Sequence, residues 1–341
     1  MMEKAKIRTK SNFWSAFLAA AACYVAVCAL VFPERTARSV SSALSLGVMF
    51  VVPSLAAFSM SYKILAPALV YPLSKMKRTA SALSVGAGGL CMAISGMFSG
   101  FPMGAVVYAE LKRDGLISED EGRSLMPYSN NAGAAFLIGS VGANMFGDAG
   151  FGAALFAFQT LSALTMLVLT SPKRRKISPS PPAQKKITPS HAARAVAEGG
   201  MTMIGVLSFI VFFSVLGDAV SCDIPLGAAF EAAIRCALEI SGGAKALSLL
   251  GRYGRAVTGF AVGFSGISVF LQADFAAKGE AMRDFLFGKT AMAALCGTMT
   301  FLYVILSEAT RFAFIIVFGG AVFLLAAALF SRSLFPPKKR K

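Results

Sequence analysis

Charged residues are absent from long stretches of this chain and crowded between them. None lies between Lys10 and Glu34, Arg38 and Lys63, Arg78 and Glu110, Arg123 and Asp148, Asp148 and Lys173, Glu198 and Asp218, Arg255 and Asp274, Lys289 and Glu308, or Arg311 and Arg332. A helix needs about 20 apolar residues to cross a hydrocarbon layer, and each gap has roughly that length. The pattern predicts apolar segments at 13–32, 41–70, 80–109, 127–147 and 150–171, then at 199–220, 226–250, 256–274, 286–307 and 312–331. The expected fold class is all-α, a polytopic membrane protein of about 8–10 apolar segments. Five segments on either side of one linker predict two repeat-like halves with broken helices or re-entrant hairpins.

That linker is residues 172–195, where Pro172, Pro179, Pro181, Pro182 and Pro189 stand among lysines and serines and prevent a packed element. It divides a first membrane half at 13–171 from a second at 196–334, with a basic N-terminus at 1–12 and a basic tail at 335–341. The first apolar run is longer than a signal-peptide core and reads as a retained first helix. A short self-match, Gly96-Met97-Phe98-Ser99-Gly100 against Val262-Gly263-Phe264-Ser265-Gly266, falls in the third segment of each half.

Parity constrains the topology. Five full crossings would put the basic N-terminus and the basic linker on opposite sides, against the positive-inside rule. The second segment of each half is the expected non-crossing one: 41–70 is long and carries Pro53 and Pro67, and 226–250 contains charge and Gly242-Gly243.

Composition narrows the function. Of 341 residues 56% are hydrophobic and 15% charged, with a formal net charge of +16. The excess positive charge flanks apolar segments and lacks the interleaved aromatics of a single-strand platform, so the bilayer and not nucleic acid is the expected partner. The sole histidine, His191, lies in the linker. Without other histidines, or a Cys-x-x-Cys pair, there is no expected metal site, catalytic triad or cofactor, and the chain does not read as an enzyme.

Two polar clusters interrupt the apolar runs. Ser95-Gly96-Met97-Phe98-Ser99-Gly100-Phe101-Pro102-Met103-Gly104 places helix-breaking residues in mid-segment. It reads either as a packing kink or as a break whose Ser99 and Gly100 face a solute. Tyr128-Ser129-Asn130-Asn131 supplies two amides, which either cap a helix near Ala132 or bind a polar solute. Ser265 and Gln272 are the corresponding candidates in the second half.

The run Ser99-Gly100-Phe101-Pro102-Met103-Gly104-Ala105, the amphipathic stretch from Leu111 to Leu125, Ser129-Asn130-Asn131, and Phe136 to Gly142 with Met145-Phe146-Gly147 resemble the sporulation integral membrane protein YlbJ family. That family lies within the nucleoside-recognition, or Gate-domain, group. Pro53-Ser54-Leu55, Leu238 to Gly243, and Phe264-Ser265-Gly266 with Gln272 extend the likeness over roughly residues 45 to 300. Ile267-Ser268-Val269 departs from it by lacking a proline. The resemblance implies a secondary solute transporter of a spore-forming bacterium, required for spore maturation. Its location would be the outer forespore membrane, and its solute an aromatic dicarboxylate, dipicolinate. Related Gate-domain proteins point instead to nucleosides, and a non-transporting scaffold of the spore envelope is the competitor from another class.

Glu231, Arg235 and Glu239 follow at spacings of four in the segment 226–250. They read as a solvated helix stripe, or as an intramembrane set in which Arg235 pairs Glu239 and Glu239 binds a coupling proton or cation.

Overall fold

The computed structural model describes residues 2–76, 80, 83–170, 186–224, 227–280, 282 and 284–306. The predicted segment 312–331, the tail 335–341, most of the linker and the charges Lys77 and Arg78 lie outside them. Among the described residues the chain is all-helical: α1 Met2–Val31, α2 Pro33–Ser74, α3 Ala87–Phe98, α4 Met103–Arg113, α5 Glu119–Leu125, α6 Phe136–Met145, α7 Ala149–Thr170, α8 Pro189–Asp223, α9 Ala228–Leu238, α10 Ile240–Ser248, α11 Gly251–Phe264, α12 Ile267–Ala277 and α13 Phe285–Ile305. Six stretches are long and apolar enough to cross a membrane: Trp14–Val31, α2, α7, α8, α11 with α12, and α13.

The frame is α2 lying antiparallel to α8. At one end Arg35 pairs with Asp223 at 2.9 Å, and Ser39 donates to Asp218. Gly47 packs on Leu207 midway, and at the other end Lys63 reaches Glu198 at 2.9 Å and Glu110 of α4 at 3.0 Å. Lys63 is buried and holds both carboxylates, so this ion trio pins α4 to the frame. α1 runs parallel to α8, with Tyr24 donating to Asp223 and Ala21 packed on Phe213 and Leu216.

The segment 41–70 is not a hairpin. It lies within the continuous 42-residue α2. Pro53 would clash with the carbonyl of Met49 in a regular helix. Met49 belongs to a π-helical stretch, Gly47–Val51, whose wider winding accommodates the ring.

The chain doubles back elsewhere. Gly96 of α3 and Gly104 of α4 both lie against the Ser129 carbonyl, at 2.0 Å or less from where a Cβ would sit, so these two helices form a hairpin with its tip at Ser99–Pro102. It opens toward the Lys63 end. A second hairpin is α9–α10, where a Cβ on Gly243 would lie 2.6 Å from Cys236 Cα; its tip is Glu239 and it opens toward the Arg35 end. The expected interruption of 226–250 is therefore present, while its counterpart is the third apolar segment and not the second.

Between these hairpins the remaining elements traverse the bundle. After α5, the non-helical residues 126–133, then Ala134, Ala135 and α6, lead to the Arg35 end, where Arg255 of α11 bonds Asp148 at 2.8 Å and the Phe146 carbonyl at 3.2 Å. α7 returns. α11 and α12 form one crossing broken at Ser265–Gly266, and α13 goes back toward Arg252, which donates to the Val304 carbonyl.

Because only one of the first five segments turns back, the N-terminus, Lys75 and the residues leading into α8 share the Lys63 end. These three described flanks thus fall on one side, which the positive-inside rule predicts to be the cytoplasmic one. Cys222, exposed at the Arg35 end, should then react with a membrane-impermeant maleimide when the chain is produced in the plasma membrane of intact, non-sporulating cells, a Cys222→Ser variant providing the background. Labelling that required permeabilised cells would reverse the orientation.

Candidate site at four chain interruptions

Each hairpin tip meets a broken crossing. At the first tip Gly100 has φ +88, open to glycine because it has no Cβ, and a Cβ there would lie 3.2 Å from Gly133 N and 2.4 Å from Leu55 Cδ2. Residues 126–133 opposite it turn and then run without regular structure, and side chains hold them. Gln159 of α7 brackets Ala132, accepting from its N–H at 3.1 Å and donating to its carbonyl at 2.8 Å. Asn130 Oδ1 accepts from Ala105 N at 3.1 Å in the first turn of α4, and its Nδ2 donates to the Met126 carbonyl at 2.9 Å. Asn130 therefore caps the neighbouring hairpin leg, and not the helix after Ala132, which begins at Ala134.

At the second tip Glu239 leaves the helical region, with φ −152 and ψ 127, and caps α10. Its Oε1 accepts from Ser241 N at 2.8 Å and its Oε2 from Gly242 N at 2.7 Å. The backbone beside it touches the break between α11 and α12: a Cβ on Gly266 would lie 3.1 Å from the Leu238 carbonyl oxygen and 3.2 Å from Glu239 N. Ser265 and Gly266 both have positive φ, +70 and +87. For Ser265 that left-handed conformation costs about 1–2 kcal/mol.

Lys289 ties the two broken crossings together. Its Nζ donates to the Asn130 carbonyl at 2.5 Å, to Asn131 Oδ1 at 3.0 Å and to Ser265 Oγ at 3.2 Å. The side chain is fully buried, and among the described residues its hydrogen-bond partners are all neutral oxygens. Sequence reasoning missed it, although it was available as the one charge within the segment 286–307. Gln159 was missed too, and is the sole amide side chain of 150–171.

Of the other candidates, Ser99 is buried at the first tip with its hydroxyl unpartnered. Gln272 of α12 donates to Ser268 Oγ at 3.0 Å, while its buried Oε1 has no partner. Gln272 and Pro102 line a largely apolar groove of about 800 Å³ that also reaches Lys63, Glu198 and Phe275. The expected Arg235–Glu239 pair is absent. α9 ends at Leu238, so Glu239 falls outside the helical register that would place it over Arg235. Arg235 instead holds Glu231 Oε1, at 2.9 Å from Nε and 2.7 Å from Nη2, and Asp218. The structure thus brings Asn130, Asn131 and Ser265 together through Lys289, and separates Arg235 from Glu239.

Sporulation integral membrane protein YlbJ of Bacillus subtilis (strain 168) is 29% identical to this chain over 158 residues, which make up 40% of the chain and 38% of that protein. The match thus spans well under half of the curated relative's length. No family model matches the chain, and no solved structure matches it. With its six candidate spans, the chain is an integral membrane protein distantly related to the sporulation protein YlbJ, in agreement with the resemblance carried by its motifs.

Proposed function

We propose that the chain is a secondary carrier of a small anionic solute, and that its halves are an inverted-topology repeat. The carrying observation is the pair of hairpins that enter from opposite ends and abut broken crossings. In the order α2, hairpin, broken crossing, α7, the first half has the same plan as α8, hairpin, broken crossing, α13 in the second, run in the opposite direction. Inverted repeats of this kind place interrupted helices near the midplane, where helix ends and unpaired backbone groups can hold a solute. A scaffold has no need of a fully buried lysine, whereas an intramembrane ionisable group is by default functional.

An aromatic dicarboxylate is the solute class favoured here, since Lys289, which bonds both broken crossings, has no carboxylate partner among the described residues. Kinship with a sporulation protein makes dipicolinate the first compound to test, and the outer forespore membrane the place to look for the protein. Purified protein in proteoliposomes should take up labelled dipicolinate saturably, under a proton or sodium gradient. If neither dipicolinate nor nucleosides moved under any gradient, while deletion of the gene blocked spore maturation, the scaffold reading would replace this one. Uptake of nucleosides alone would keep the carrier and change its solute.

A further inference from the structure

We infer that Lys289 is the anion-binding residue of the carrier, and that the group it takes is the carboxylate of an aromatic acid. The inference rests on the carrier reading and specifies its central contact. Four other basic side chains of the bundle are neutralised by opposite charge. Lys63 holds two carboxylates, Arg235 holds Asp218 and Glu231, Lys112 holds Glu280, and Arg255 holds Asp148. Lys289, the most deeply buried of these, is surrounded by a backbone carbonyl, an amide oxygen and a hydroxyl. Three acceptors match the three hydrogens of an ammonium, so its hydrogen bonding is complete while its charge stays uncompensated among the described residues. Such a site keeps its hydrogen bonds when empty yet is electrostatically incomplete, as a site for an exchangeable anion should be.

Two further features meet at the same place. α12 begins directly after Ser265 and Gly266, and no side chain caps its first turn, so its positive end lies at the residue Lys289 touches. At the other tip the first turn of α10 already carries the Glu239 carboxylate. An aromatic series also ends on the ammonium. Trp14 stacks on Phe270 at 5.3 Å between centroids, Phe270 lies 5.6 Å from Phe285, and the Phe285 ring centroid is 6.0 Å from Lys289 Nζ. A flat ring bearing a carboxylate suits that combination of faces and charge. On binding, a carboxylate oxygen replaces Asn131 Oδ1 or Ser265 Oγ as acceptor, and both broken crossings lose a tether to α13.

Asn131→Asp tests this directly. The change is nearly isosteric and places a built-in carboxylate where Oδ1 now lies 3.0 Å from the ammonium. The variant should unfold at the wild-type temperature or above, yet bind dipicolinate about 100-fold or more weaker, because its own carboxylate occupies the site. Lys289→Met should lose binding to the same degree, and Lys289→Arg should recover part of it. Wild-type affinity in a folded Asn131→Asp protein overturns the assignment. The wild-type chain provides a check that needs no folded variant: the uncharged diamide of dipicolinate should compete about 100-fold more weakly than the diacid. Equal competition also overturns it. If the wild type bound no aromatic acid but did bind nucleosides, the solute class proposed above would fail, whereas unaltered binding in all three variants would remove only Lys289.

Discussion

Gly96→Ala is expected to prevent the first hairpin from closing. A Cβ at this position would stand 1.5 Å from the Ser129 carbonyl oxygen, 2.3 Å from its carbon and 2.8 Å from its Cα. These are backbone atoms, with no side chain to swing aside. Gly104 faces the same carbonyl at 2.0 Å from the other leg, so Ser129 is clamped and cannot retreat. The Ser129 hydroxyl is also fixed, donating to the Leu125 carbonyl at 2.9 Å. Overpacking in a yielding core costs about 1–3 kcal/mol; here the separation of three chain segments should raise the cost beyond that range. Gly205, where a Cβ would meet nothing within 4 Å, is the matched control on α8. Thermal unfolding in detergent should show Gly205→Ala indistinguishable from wild type and Gly96→Ala unfolded or strongly destabilised. A Gly96→Ala protein as stable as the control would mean that the hairpin legs do not approach as described.

Why the sequence announces some of this and hides the rest follows from what each signal measures. Gaps between charges report burial in lipid, so they located α1, α7, α8 and α13 well. They do not report direction. α3 and α4 form one uninterrupted apolar run, 80–109, because both legs of a hairpin are as apolar as one long helix. Parity required a non-crossing segment in the first half, and the prolines of 41–70 attracted that assignment to the wrong place; the π-helical winding that absorbs Pro53 has no clear sequence signature. The Phe-Ser-Gly self-match is instructive in a different way. Both triplets do sit at interruptions, with glycine φ of +88 and +87, but one is a hairpin tip and the other lies in a broken crossing. The motif records a local need for left-handed backbone, not a repeat register. The Asn130-Asn131 and Ser265 candidates were legible as polar residues in apolar runs, whereas the Lys289 cluster draws on three distant segments and becomes visible only in the fold.

Glu239→Gln is expected to fold and insert but to lose accumulation driven by an ion gradient. The carboxylate is buried, and among the described residues its hydrogen-bond partners are the two amides of its own turn. Arg235, which sequence spacing offered as a counter-charge, is occupied by Asp218 and Glu231. Glutamine keeps one acceptor for one amide and presents a donor to the other, so the structural loss should be near the cost of one unpaired buried group, about 1–3 kcal/mol. Glu239→Ala would leave both amides unpaired and lose more. The functional loss follows from charge. Glu239 meets Gly266 through its backbone, and Lys289 bonds the adjacent Ser265, so an uncompensated carboxylate and an uncompensated ammonium flank neighbouring residues without pairing. An anion at Lys289 and a proton or cation at Glu239 would together neutralise both, and each would favour the binding of the other through the attraction between them. In proteoliposomes the variant should therefore still exchange dipicolinate across the membrane at equilibrium, while uptake no longer rises with the imposed gradient. Accumulation with unchanged gradient dependence would take Glu239 out of the coupling and leave it the capping residue of α10 alone.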